Sequence, residues 1–215
     1  MNSQWRLFLL ALRSLTGMPG ARDANLCTAA RYVPLVGITV GAVGAIAYWL
    51  AAQVWPASVA VILSMLATVL LTGGVHERGL GALGTLFALL IKYNALMALS
   101  AANLAFPLPE DVALGVIMIA GHAASRALAV SVIATRSQAT PRVASGDLAV
   151  ALILGFAPAM IMGVPGLAGL AAALLARIAI TAYGKRRFTI DPLDATQQLA
   201  EICFYLGALA MRSYT

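Results

Sequence analysis

The chain has 215 residues, 61% hydrophobic and 10% charged, with 14 Lys and Arg against 8 Asp and Glu. That composition excludes a soluble globular domain and leaves an all-α transmembrane helix bundle, because in lipid the backbone must satisfy its own hydrogen bonds. The length suits a single integral membrane domain over 1–215, with 1–30 as a cytoplasmic, interfacial segment and 31–215 as the bundle.

Trp5, Phe8, Leu9, Leu12 and Leu15 recur at helical spacing with Arg6 and Arg13 off that stripe, which predicts a helix lying in the interface, not a signal peptide. Seven apolar runs follow, at roughly 33–54, 57–75, 82–105, 111–135, 147–163, 165–183 and 195–211, each long enough to enter a bilayer. Gly37, Gly41 and Gly44 in the first run give small-residue spacing that lets helices approach closely, a pattern that would also permit a homodimer. Gly163, Gly166 and Gly169 mark a turn and the entry to the sixth run. Cys27 and Cys203 suggest neither a disulfide nor a metal site.

The basic residues orient the runs. Arg6, Arg13, Arg22 and Arg31 precede the first, Arg78 follows the second, Arg136 and Arg142 the fourth, and Lys185, Arg186 and Arg187 the sixth. The alternate connections carry none, so these basic connections are predicted to stay cytoplasmic, with the N-terminus inside and the C-terminus outside. Ten of the fourteen basic residues are thereby explained by orientation and anionic lipid, without nucleic acid.

Ionisable groups inside a span cost several kcal/mol unless paired or wet, so each is a functional candidate. Lys92 sits roughly 15 Å into the third run at about 1.5 Å per residue. His122 and Arg126 share a face of the fourth, Arg177 lies near the cytoplasmic end of the sixth, and Gln197 and Glu201 share a face near the start of the seventh. Glu201 is the natural counter-ion of Lys92 or Arg126. Together they describe a positively biased cavity open to the cytoplasm, suited to a phosphate or pyrophosphate. Two cytoplasmic loops add polar chemistry: His76 and Glu77 on a glycine-flanked turn, and Lys185 to Asp191 with Asp194 as a candidate N-cap of the last helix.

Four stretches are recognisable: Ala30-Arg31-Tyr32-Val33-Pro34-Leu35-Val36-Gly37, Leu71-Thr72-Gly73-Gly74-Val75-His76-Glu77, Gly121-His122-Ala123-Ala124-Ser125-Arg126, and Thr189 to Glu201 running on into Phe204-Tyr205-Leu206. In this order the chain resembles the cobalamin synthase family, adenosylcobinamide-GDP ribazoletransferase, over almost its whole length. The resemblance implies a multi-pass enzyme of the bacterial inner membrane acting late in cobalamin biosynthesis. It would join adenosylcobinamide-GDP to α-ribazole or its 5′-phosphate and release GMP, with Mg²⁺ required. The implied site has Glu77 and Asp191 on the metal and His76 or His122 as base. Lys92, Arg126, Lys185, Arg186, Arg187, Thr189, Gln197 and Glu201 would bind substrate.

The chain also departs from the family pattern. Arg78 stands where the first Asp of an acidic motif is expected, Gly81-Ala82 replaces Ala-Asp, and roughly thirty residues before Leu83-Gly84-Thr85-Leu86 are missing. Two other readings share the fold: a non-catalytic paralogue that binds corrinoid or assembles other late-pathway enzymes, and a small anion transporter. A polar path from Lys92 to the outer face would favour the transporter.

Overall fold

The computed structural model describes residues 3–16, 27–74, 80–102, 110–135, 142–187 and 192–211. The helices are α1 (Ser3–Leu15), α2 (Val33–Ala52, entered through a 3₁₀ turn at Ala30–Tyr32), α3 (Ala57–Thr72), α4 (Gly81–Ser100), α5 (Glu110–Thr135), α6 (Ser145–Ile161), α7 (Val164–Arg187) and α8 (Pro192–Leu209). Each of the seven apolar runs forms one helix, so the chain is an all-α membrane bundle. Four spans are long and apolar enough to cross a bilayer by length and composition: Ala30–Ala52, Gly81–Ser100, Val112–Thr135 and Val164–Ala182. α3 and α6 are shorter apolar helices.

Local chemistry sets the helix ends. Pro34 lies in the first turn of α2, where its missing N–H costs nothing. α3 stops at Gly73 and Gly74, both at positive φ, whose amides close back onto Leu70 and Val69. α7 runs on through Arg187, so Lys185, Arg186 and Arg187 belong to a helix end, not to a loop; their side chains lie outside the described residues. α8 begins at Pro192, so Asp194 sits inside its first turn and is not its N-cap; a negative charge there still favours the helix N-terminus.

α5 is the hub, packed against α2, α4, α6, α7 and α8. Within its span 78% is buried, whereas the other three long spans are 22–33% buried and turn residues such as Ile46, Leu86 and Leu175 outward to lipid. Exposed Trp49 and Trp55 lie at the far end of α2 from Trp5, as an aromatic belt at each interface would require. α1 docks at the start of α2: Ala11 and Leu15 are buried with Ala30, Val33 and Val36, Phe8 packs edge-on to Tyr32 at 6.4 Å, and Tyr32 hydrogen-bonds Gln4. Arg31 pairs with Asp147, its Nε 2.7 Å from Oδ1, and so ties the starts of α2 and α6 together at one end of the bundle.

The α2 glycine stripe is spent inside the chain. A Cβ on Gly37 would stand 2.5 Å from the His122 carbonyl oxygen and 3.0 Å from Arg126 Cδ, and one on Gly41 would stand 2.6 Å from Ile119 Cα. Both glycines are buried, so this face packs on α5 and is closed to a homodimer partner. Gly37→Ala is therefore expected to cost about 1–3 kcal/mol by overpacking against backbone. Gly146→Ala, where a Cβ meets nothing within 4 Å, should be close to neutral. Unfolding of the two variants in detergent micelles checks the contrast.

Candidate functional site

Five of the sequence-predicted residues converge. Lys92 of α4, His122 and Arg126 of α5, and Gln197 and Glu201 of α8 line one narrow cleft with Thr68, Thr72 and Gln198. The cleft lies where α3 ends and α8 begins, and it holds room for about one water molecule. Every lining side chain is buried; Arg126 is fully so, and Lys92, His122 and Glu201 are 3–4% exposed.

The Glu201 carboxylate organises the cluster. Its Oε1 lies 2.5 Å from Lys92 Nζ and accepts a hydrogen bond from the Tyr205 hydroxyl at 3.0 Å. Its Oε2 lies 3.3 Å from His122 Nδ1. Arg126 Nη1 sits 3.2 Å from that same Nδ1 and donates to the His122 carbonyl at 3.3 Å. Nδ1 thus stands between two competitors: as Nδ1–H it donates to Glu201 and leaves Arg126 only the carbonyl, with Nε2 then the basic nitrogen, and as a bare nitrogen it accepts from Arg126. Two basic side chains, Lys92 and Arg126, face one carboxylate, so the cleft has a positive bias that suits an anionic group.

The far half of the bundle is closed. Leu96, Leu99, Leu114, Ile117 and Met118 fill the space beyond Lys92 as one apolar cluster. Among the described residues no polar path leads from Lys92 to the other end, which removes the feature the transporter reading needs. Arg177 stands apart from the cleft, with its Nε on Ser131 Oγ at 3.1 Å and its Nη2 on Thr135 Oγ1 at 3.2 Å, tying α7 to the end of α5.

Four other expected site residues fall outside this description. His76, Glu77, Thr189 and Asp191 lie outside the described residues, on segments that join the bundle through Gly74 and Pro192. Among the described residues no three His, Cys, Asp or Glu side chains gather as a metal site would. The cleft itself does not fit Mg²⁺, because its one carboxylate is already engaged by Lys92, His122 and Tyr205.

Thr68, Thr72 and Gln198 were missed because neutral polar side chains in a membrane run read as backbone-bonded, and the two threonines do donate to the Met65 and Thr68 carbonyls at 2.8 and 3.0 Å. The available signal was their i, i+4 spacing on α3 and the doubling of Gln197 by Gln198. Gln198 Nε2 is buried without a hydrogen-bond partner.

Removing one partner from the Lys92–Glu201 pair strands a buried charge, at a cost of about 3–5 kcal/mol. Glu201→Ala is expected to lose that much in detergent unfolding. The double variant Lys92→Met/Glu201→Gln should lose less than the sum of its two single variants.

Comparison with known proteins then places the chain. The Cobalamin-5-phosphate synthase family profile matches residues 7–81. The adenosylcobinamide-GDP ribazoletransferase of Leptothrix cholodnii is 35% identical, with 95% of each chain covered. That of Ralstonia pickettii is 34% identical over 99% of this chain and 98% of its own, and that of Shewanella amazonensis 33% over 96% of each. The Leptothrix alignment runs over 258 positions against 215 residues here, so at least 43 positions face a gap in this chain, in keeping with the shortened acidic loop. No solved structure matches the chain. With relatives this similar along nearly its full length, the chain belongs to the adenosylcobinamide-GDP ribazoletransferase family.

Proposed function

We propose that the chain performs the transfer for which its relatives are named. It joins adenosylcobinamide-GDP to α-ribazole or α-ribazole 5′-phosphate at the cytoplasmic face of the bacterial inner membrane, with the N-terminus inside. The observation that carries this reading is the convergence of Lys92, Arg126, His122 and Glu201 in one buried, positively biased cleft at the basic end of the bundle.

The reaction forms a bond from a ribazole hydroxyl oxygen to the phosphorus of the corrinoid phosphate. It breaks the bridging P–O bond, and GMP leaves with the bridging oxygen. His122 Nε2 accepts the hydroxyl proton while Glu201 holds Nδ1–H and stabilises the imidazolium that results. Lys92 and Arg126 face the charge that builds on the phosphoryl oxygens, and burial strengthens that interaction. The cleft holds room for about one water molecule, so the nucleoside and the corrin stay outside it and only the reacting oxygens approach these side chains.

Mg²⁺, where required, would be held by Glu77 and Asp191 and would supply neutralising charge to the phosphates. The basic cluster Lys185, Arg186 and Arg187 with Thr189 would receive the nucleotide phosphates. Lipid surrounds the bundle, and other late cobalamin enzymes are natural neighbours at this face.

The test is turnover by the purified protein in lipid vesicles, with adenosylcobinamide-GDP and α-ribazole 5′-phosphate, beside a relative carrying the full acidic loop. GMP release with the joined corrinoid supports the reading, and His122→Asn should then lower kcat by about 10²–10⁴-fold. No product, with the relative active, would sink it and leave corrinoid binding without transfer. Arg78→Asp is expected to raise turnover at limiting Mg²⁺, because it restores an oxygen ligand to the loop.

A further inference from the structure

Tyr205 is fully buried within the apolar core, where a phenylalanine would fill the same space. A buried hydroxyl costs free energy unless it is bonded, so its partner carries the meaning. That partner is Glu201 Oε1 at 3.0 Å, one turn back along α8, with the Met118 carbonyl a weaker second acceptor at 3.5 Å.

The ring reaches this position across Gly121. A Cβ there would stand 2.5 Å from Tyr205 Cε1, 2.8 Å from Cζ and 2.9 Å from the hydroxyl oxygen. Gly121 and Tyr205 come from two stretches 84 residues apart, both among those that resemble the family, and nothing in the sequence connects them. The fold makes them one device: Gly121 leaves the gap and Tyr205 occupies it.

We propose that Tyr205, seated by Gly121, is a positioning residue that fixes the rotation of the Glu201 carboxylate and, through it, the tautomer of His122. The charged groups facing Glu201 are Lys92 from α4 and His122 and Arg126 from α5. Among the described residues, α3 and the rest of α8 line the same cleft with the uncharged Thr68, Thr72, Gln197 and Gln198. Left to these, the carboxylate has every reason to turn both oxygens onto the basic groups of Lys92 and Arg126. Hydroxyl and ammonium together hold Oε1 on the Lys92 side, so Oε2 stays with His122 Nδ1. The Nδ1–H is then committed to Glu201, and Nε2 is kept as the basic nitrogen.

The catalytic consequence rests on the proposed function, whereas the geometry can be read without turnover. His122 is the only histidine left in a His76→Gln background, since the chain has two. Its ring ¹⁵N resonances in detergent micelles therefore report the tautomer directly. The expected result is an Nδ1–H form in the parent and a shift toward mixed tautomers in Tyr205→Phe, which keeps the ring. Gly121→Ala should produce the same shift, and the double variant should add little to either.

Spectra that overlay in the parent and Tyr205→Phe would overturn the proposal, whatever the enzyme does. Where the parent with His76 intact turns over, Tyr205→Phe should lower kcat about tenfold with KM within about twofold, the pattern of an interaction realised in the transition state. A loss confined to KM would equally overturn it. Absence of transfer by the wild-type protein counts against the proposed function alone, because the resonances still decide this inference.

Discussion

The structure depends on one buried carboxylate. Glu201 sits inside a bundle whose outer surface faces lipid, where an uncompensated charge is among the most costly features a helix can carry. Its three donors come from three different helices: Lys92 on α4, His122 on α5 and Tyr205 on α8. That arrangement fixes the axial register of α4 and α5 against α8, since sliding any of them by one residue would leave a charge or a hydroxyl without its partner. Two further helices respond to the same constraint. α3 brings Thr68 and Thr72 to the cleft, and α2 brings Gly37, whose missing side chain lets Arg126 lie against it.

Close packing by small residues is what allows so many polar groups to share so little space. Between α2 and α5 the hydrophobic effect offers little, because lipid is as apolar as leucine, so contact area and the approach of backbones decide the association. Gly37, Gly41 and Gly121 all stand where an added methyl group would strike backbone or an aromatic ring. The same tightness makes the far half of the bundle an apolar plug of Leu96, Leu99, Leu114, Ile117 and Met118. Among the described residues this plug backs the cleft, which suits a reaction at one face of a membrane and does not suit transport across it.

Family membership and local departures then read together. The relatives match along nearly the whole chain, yet their alignments are longer than the chain itself. The gap accords with the loop after α3, where Arg78 replaces an expected acid. The buried cluster brings cations, a histidine and a carboxylate into mutual contact. Chain can be lost between helices at small thermodynamic cost because loop closure depends only weakly on length.

The sequence by itself determined the class, the seven helices and the residues that had to be explained. An ionisable group in an apolar run declares itself, so Lys92, His122, Arg126 and Glu201 were legible; charge alone offered Lys92 or Arg126 as the partner of Glu201, and the fold pairs it with Lys92. Helix ends were less legible: Asp194 looked like a cap, yet Pro192, with its preset φ, starts α8 two residues earlier. Neutral groups were hardest to see. Thr68, Thr72, Gln198 and Tyr205 carry no charge to betray them, and Gly121 signals only by what it lacks. Arg177 looked like a possible member of the site, and the fold assigned it to Ser131 and Thr135 instead. Only the tertiary structure decided these, because hydropathy and charge are properties of single positions, whereas a partner, a register or a gap filled by another helix exists only between positions far apart in the chain.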